Sequence, residues 1–292
     1  MNPPRQETAG PVAQIDHVVV NVRQRMAEAA DLYRRLGFAL TPRGHHTLGS
    51  INHLAMFGPD YLELLGLPPG SADRMEVMDW PEGLTGIAFA TEDADAVHAA
   101  LSAAGAPVQP PLAFSRPVEL PSGARDAAFR VVRVTPAATP AGRLFFCQHL
   151  TRGLVWRDEW RHQPNGTLGI AGVVIAAAQP EGYAALFRSM FGADAVAAVA
   201  GGCCLAAGLS RIEVLAPEVV AHRYGPAAPD MAGRPAVMAA LVLRVADAGR
   251  TAAVLREGGI MPAAATAERV LVPAAAAMGV AVDFRGGILA SD

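Results

Sequence analysis

The sequence predicts an α+β fold in which one βαβββ module is written four times. Three observations lead there. β-branched runs recur along the chain, a helical pattern follows the first run of each set, and those helices end at glycines. The last strand of the first set, Tyr61-Leu62-Glu63-Leu64-Leu65, also resembles Arg211-Ile212-Glu213-Val214-Leu215 in the third. Internal repetition speaks strongly about fold and weakly about chemistry.

Taken in order, residues 1–14 read as a flexible lead. Residues 15–22 are apolar on both faces, as a strand covered on both sides should be. Strict alternation puts Ile15, His17, Val19 and Asn21 on one face and Asp16, Val18, Val20 and Val22 on the other. Residues 26–36 have Met26, Ala29, Ala30, Tyr33 and Leu36 at helical spacing, closed by Gly37. A short strand near 38–41 is expected next, then two strands across 44–65 joined at Gly58-Pro59-Asp60. Module two offers a strand at 84–90, a helix at 93–104 and strands near Val108, at 127–134 and at 143–149. Module three runs from a strand at 168–175 through a helix at 183–191 to a strand at 210–215. Module four runs from Val237 through a helix at 248–256 to a strand at 280–284. The organisation is therefore 15–150 for the first pair of modules, 151–166 for a connector and 167–292 for a degenerate second pair. Trp156 and Trp160 of the connector are expected to pack between the two pairs, with an aromatic wall of the binding site as the lesser alternative.

Composition narrows the function. At 292 residues and 52% hydrophobic, the chain can bury large cores, and a formal charge of −3 gives no electrostatic case for nucleic acid. All 24 basic residues are Arg. Without Lys, this chain cannot do Schiff-base or pyridoxal-phosphate chemistry or build a phosphate-binding P-loop. Cys147, Cys203 and Cys204 form no disulfide framework and no C-x-x-C pair, which fits a reducing cytoplasm. The polar start lacks a signal-peptide core, and the longest apolar run, 195–209, is too short to span a membrane. A soluble cytoplasmic protein with a small-molecule partner is expected, and a homodimer is compatible with the sequence.

Glu63 poses the functional question. With Tyr61 and Leu65 it occupies one face of an apolar strand, and a buried carboxylate must be neutral, paired or metal-bound. His17 lies mid-strand between valines, where a satisfied core histidine is the plain alternative. His45, His46 and His53 read as surface or strand-edge groups, His46 being the best placed to touch a ligand. Cys147 beside His149 reads as a packed core thiol.

Ile15-Asp16-His17-Val18-Val19, His46 with Gly49-Ser50 and Asn52, Tyr61-Leu62-Glu63-Leu64, and Phe145-Phe146-Cys147-Gln148-His149 leading to Trp156-Arg157 and Pro164-Asn165-Gly166 resemble the vicinal oxygen chelate superfamily. Within it they resemble the glyoxalase-like domain proteins. The resemblance is good over residues 15–166 and architectural beyond. It implies paired modules forming cups, with a divalent metal (Zn, Ni, Mn or Fe) held from the first and last strands of each module. His17 and Glu63 stand at two such positions, Glu63 also as a catalytic group. Module two offers Gly86 and either Gln148 or, after a one-residue slip, Cys147 and His149. His17, Glu63 and His149 would then form a two-His, one-carboxylate triad. His46, Ser50, Asn52 and Tyr61 would touch substrate. The second cup presents Gly172, Glu213, Ala240 and Asp283, with the two acids as its only ligand candidates. The implied activity is a metal-dependent lyase or isomerase, or a ring-cleaving dioxygenase, on a small oxygen-bearing metabolite. The alternative is a non-catalytic cup that binds or sequesters a small molecule without metal.

Overall fold

The computed structural model describes residues 11–71, 75–120 and 123–287; residues 1–10 of the expected lead and the tail 288–292 lie outside them. Module one comprises β1 (Ile15–Arg23), α1 (Met26–Arg35), β2 (Gly44–His45), β3 (Ile51–Met56) and β4 (Tyr61–Gly66). A short α2 (Met75–Met78) precedes module two, which is β5 (Gly83–Ala90), α3 (Ala94–Ala103), β6 (Leu112–Val118), β7 (Arg125–Arg133) and β8 (Arg143–His149). Module three is β9 (Thr167–Ala177), α4 (Pro180–Phe191), β10 (Val196–Val199), β11 (Gly202–Ala207) and β12 (Ser210–Leu215), followed by α5 (Pro217–Tyr224). Module four is β13 (Ala236–Val245), α6 (Ala248–Glu257), β14 (Ala264–Ala265), β15 (Arg269–Val272) and β16 (Ala281–Gly286).

Modules pair in sequence order. One sheet runs β2-β3-β4-β1-β5-β8-β7-β6 and the other β10-β11-β12-β9-β13-β16-β15-β14. In each, the two first strands meet antiparallel at the centre, β1 with β5 and β9 with β13, and each pairs in parallel with its own module's last strand. The first sheet curls until its edges touch, the Thr47 N–H donating to Ser115 O at 2.9 Å. One continuous core holds the convex faces of both sheets, with Val18, Val20 and Val22 from β1 and Ile170, Val173 and Ile175 from β9. The apolar stripes of α1, α3, α4 and α6 pack into that core, so their tertiary contacts supply what helices this short lack on their own.

Two expected strands are absent. Residues 38–41 are irregular, because Thr41 spends its backbone N–H and its hydroxyl on Leu54 of β3, and the edge strand forms instead at Gly44–His45. Near Val108 there is one bridge, to Val134. Pro107, Pro110 and Pro111 remove the donors a ladder needs there, so pairing starts only at Leu112. The connector is ordered, but Trp156 does not lie between the sheets. It packs in the first cup's concave cluster, 5.3 Å from Tyr61 and 4.7 Å from His149 between ring centroids. The halves are joined by Asn165, which donates to Leu36 O at 2.9 Å while its own carbonyl accepts from Thr251 Oγ1 at 2.7 Å. Among the described residues no helix is long and apolar enough to cross a membrane.

Candidate metal centre in the first cup

The concave face of the first sheet encloses a cavity of about 370 Å³. His17, His46, Asn52, Tyr61 and Glu63 face it from module one. Phe114, Phe129, Val131 and Phe145 wall it from module two. The alternation read from the sequence puts His17, Tyr61 and Glu63 on one side, and the register agrees, pairing His17 with Tyr61 and Val19 with Glu63.

Asp16 departs from strict alternation. The β1–β5 register shifts between Ile15 and His17, so Ile15 stays in the shared core while Asp16 joins His17 on the concave side. This is what a β-bulge does: an extra residue re-aims the side chains beside it. The His17 Nδ1–H donates to Asp16 Oδ1 at 2.6 Å, and the His149 Nε2–H donates to the same oxygen at 3.0 Å. Burial alone would raise the Asp16 pKa, but the two imidazole hydrogen bonds outweigh it and hold the carboxyl well below its usual range. Asp16 is thus an anion and can only accept. That fixes a His17 proton on Nδ1 and leaves Nε2 facing Glu63, whose Oε2 is 3.9 Å away.

His46 is set in the same way. Its Nδ1 lies 2.8 Å from Ser50 Oγ and its Nε2 3.3 Å from Asn52 Nδ2, so Nε2 is the nitrogen turned to the cavity. Nε2 is 3.9 Å from Glu63 Oε1, to which Asn52 Nδ2 also donates at 2.7 Å. Burial would raise the Glu63 pKa, but His46, His17, the Asn52 hydrogen bond and Arg143 together lower it, leaving an ionised carboxylate. Two imidazole Nε2 atoms and a carboxylate therefore face one another inside an apolar cavity, a donor set suited to a divalent transition metal once both Nε2 atoms are deprotonated. Tyr61 stacks on His17 at 4.4 Å between centroids and holds the ring in place.

Module two supplies no ligand at the matching places. Gly86 faces Val19 and lies beside the Arg143 guanidinium. Gln148 is on the opposite face of β8, where it donates to Glu92 O at 2.5 Å and accepts from the Ala94 N–H at 3.2 Å, tying down the start of α3. The register that turns Cys147 and His149 to the concave side rules Gln148 out as a ligand. His149 reaches the Nδ1 side of His17 through Asp16 and not the Glu63 side, so His17, Glu63 and His149 do not converge on one point. Asp16, His17, Cys147 and His149 do form a second compact group, each offering a ligand atom within 4.8 Å of the others. There the Cys147 thiol, pushed up by burial and by nearby Asp16 and Glu63, stays protonated. His53, expected at the surface, is buried against Thr41 O at 2.7 Å.

In the second cup both acids are engaged by arginines. Asp283, fully buried, accepts four hydrogen bonds of 2.8 to 3.1 Å from Arg269 and Arg285. Glu213 accepts two from Arg223, at 2.7 and 3.1 Å. Val220 and Tyr224 of α5 pack on the concave face, leaving a smaller cavity of about 200 Å³ beside Glu213 and Arg223. Sequence reasoning missed Asp16, Arg116 and Arg143, and gave the place of Trp156 beside the first cup only as the lesser alternative. The adjacency of Asp16 and His17 was visible, but the bulge that joins them was not.

The fold is that of the vicinal oxygen chelate superfamily. The family model for the glyoxalase-like domain matches residues 15–191, more than half of the chain, and the protein belongs to that family. Among solved structures, a hypothetical protein from Staphylococcus aureus aligns over 94% of this chain and 100% of its own, at 13% identity and a TM-score of 0.65. A mutant of 4-hydroxymandelate synthase from Streptomyces coelicolor aligns over 94% and 93%, at 13% identity and 0.61. The Mn(II)-bound glyoxalase from Novosphingobium aromaticivorans aligns over 96% and 83%, at 14% identity and 0.58. These likenesses establish the fold. No curated protein matches the sequence.

Proposed function

We propose that the first cup is the active site of a metal-dependent lyase or isomerase acting on a small oxygen-bearing molecule, with the cation held by His17 Nε2, His46 Nε2 and Glu63. The observation that carries this reading is that both imidazoles have their Nδ1 engaged, by Asp16 and by Ser50, and aim Nε2 at one carboxylate. A carboxylate behind a ligating imidazole is the usual outer support of a metal site. A bound divalent cation supplies charge that polarises a substrate oxygen. The chain's own contributions are positional. Asn52 holds one Glu63 oxygen, Tyr61 holds the His17 ring, and the Phe114 and Phe129 walls keep water from the reacting atoms. Ring-cleaving dioxygenation is the neighbouring chemistry for the same donor set.

A second reading, capture of a small molecule without catalysis, is favoured by one observation: Gly86 stands where the first strand of module two would give a ligand. Metal content separates the two. Protein purified without chelator or metal-affinity tag is expected to carry close to one equivalent of divalent metal, lost in Glu63→Ala and His17→Ala and kept in Cys147→Ala. Turnover in a screen of dicarbonyl, hemithioacetal and catechol compounds should vanish with the metal. Wild-type protein that neither contains metal nor takes it up on soaking would move the assignment to the capture reading.

A further inference from the structure

β6 is an edge strand with one fully buried residue, and that residue is an arginine. Its neighbours Leu112, Ala113, Pro117 and Val118 are exposed or half-buried, whereas Arg116 is 6% exposed and lines the cavity. Among the described residues it makes no hydrogen bond and no ion pair, and Tyr61 and Glu63 act on it only at longer range. A Cβ on Gly44, across the seam between β2 and β6, would collide with Asn52 Oδ1 and sit 3.1 Å from Arg116 Nη1, so the glycine leaves room for both side chains. A guanidinium stays charged when buried, and an unpaired buried charge is costly, so the fold alone gives no reason to keep it there.

We infer that the ligand of the first cup is an anion with an apolar, ring-sized body, whose carboxylate or phosphate pairs with Arg116 while the body lies against Phe114 and Phe129. Those two rings stack at 5.1 Å between centroids on the strands flanking the guanidinium, and Phe114 also meets His46 edge-on at 5.5 Å. The body would therefore run from Arg116 toward the His17, His46 and Glu63 end. The inference deepens the reading given under Proposed function by naming a substrate class for that site, but it stands on Arg116 and needs no metal.

The test uses benzoate, phenyl phosphate and neutral benzamide as probes, titrated by calorimetry into the full chain as purified and after chelation. Wild type should prefer one of the anions over benzamide by roughly 10- to 100-fold, the range expected for a hydrogen bond to a charged group. Which anion wins separates carboxylate from phosphate. Arg116→Met should abolish the preference in both metal states, while Arg116→Lys retains part of it. Because Met relieves an unpaired charge, Arg116→Met without ligand should also melt at or above the wild-type temperature, which a residue with a structural partner would not do. Equal binding of all three probes overturns the inference. So does a preference that survives in Arg116→Met and disappears on chelation, since the anion would then be binding the metal. Absence of metal from the protein would instead count against the proposed function and leave this inference standing.

Discussion

A carboxylate with 2% of its surface exposed needs partners, and Asp16 has two imidazoles. One of them, His17, is sandwiched between Asp16 on Nδ1 and Glu63 on Nε2, so its two nitrogens divide a supporting side from a cavity side. Asp16→Asn tests that division. The amide keeps the shape but its carbonyl is a weaker acceptor, and its NH₂ would face imidazole N–H groups. Metal affinity, measured by competition with a chromophoric chelator, should fall roughly 10- to 100-fold, the usual effect of removing an outer partner. Unchanged affinity would place the metal away from His17 Nε2. What the sequence made legible at this scale was Glu63 and His17, because a charge or an imidazole in a β-branched run is visible without coordinates. The position of Asp16 was not, because a bulge depends on the partner strand and leaves no mark in the residue alternation.

At the scale of elements, helices and central strands followed from periodicity and glycine stops, and the misplaced strands were the edge strands at 44–45 and 112–118. Edges are held by fewer neighbours, so local prolines and side-chain hydrogen bonds decide them. The β3–β4 turn carries the fold's clearest pH dependence. Asp60 accepts from the Ile170 N–H of β9 at 3.0 Å, joining the two sheets. Burial pushes its carboxyl up to about 7, against the opposing pull of that hydrogen bond and of Arg244. A folded-state pKa above the unfolded value means that the native state holds the proton more tightly. The stabilisation is full below the ordinary value of 3.8 and is lost as pH rises to about 7. Asp60→Asn keeps an acceptor for Ile170 and removes the titration. Urea unfolding should find the variant close to wild type near pH 4 and more stable by about 2 to 4 kcal/mol at pH 8. A difference that does not change with pH would show that Asp60 ionises normally.

Across the whole molecule, one module has been put to two uses. The first sheet keeps an apolar cavity with a polar patch of His17, His46, Asn52 and Glu63, and closes it at the Thr47–Ser115 seam. The second packs α5 on the equivalent face, narrows the cavity to about 200 Å³ and pairs each acid with arginine. The repeat that revealed the fold could not reveal this asymmetry, since Glu63 and Glu213 occupy matching positions and differ only in what surrounds them. Arg223, which neutralises Glu213, comes from a helix that has no counterpart in the sequence pattern of module one. Cobalt(II) titration of the chelator-stripped protein, followed by its electronic spectrum, tests the central claim most directly. Saturation at one ion per chain, without a thiolate-to-cobalt charge-transfer band and unchanged in Cys147→Ser, is the result expected for His17, His46 and Glu63. A thiolate band that disappears in Cys147→Ser would contradict it and put the metal among Asp16, His17, Cys147 and His149.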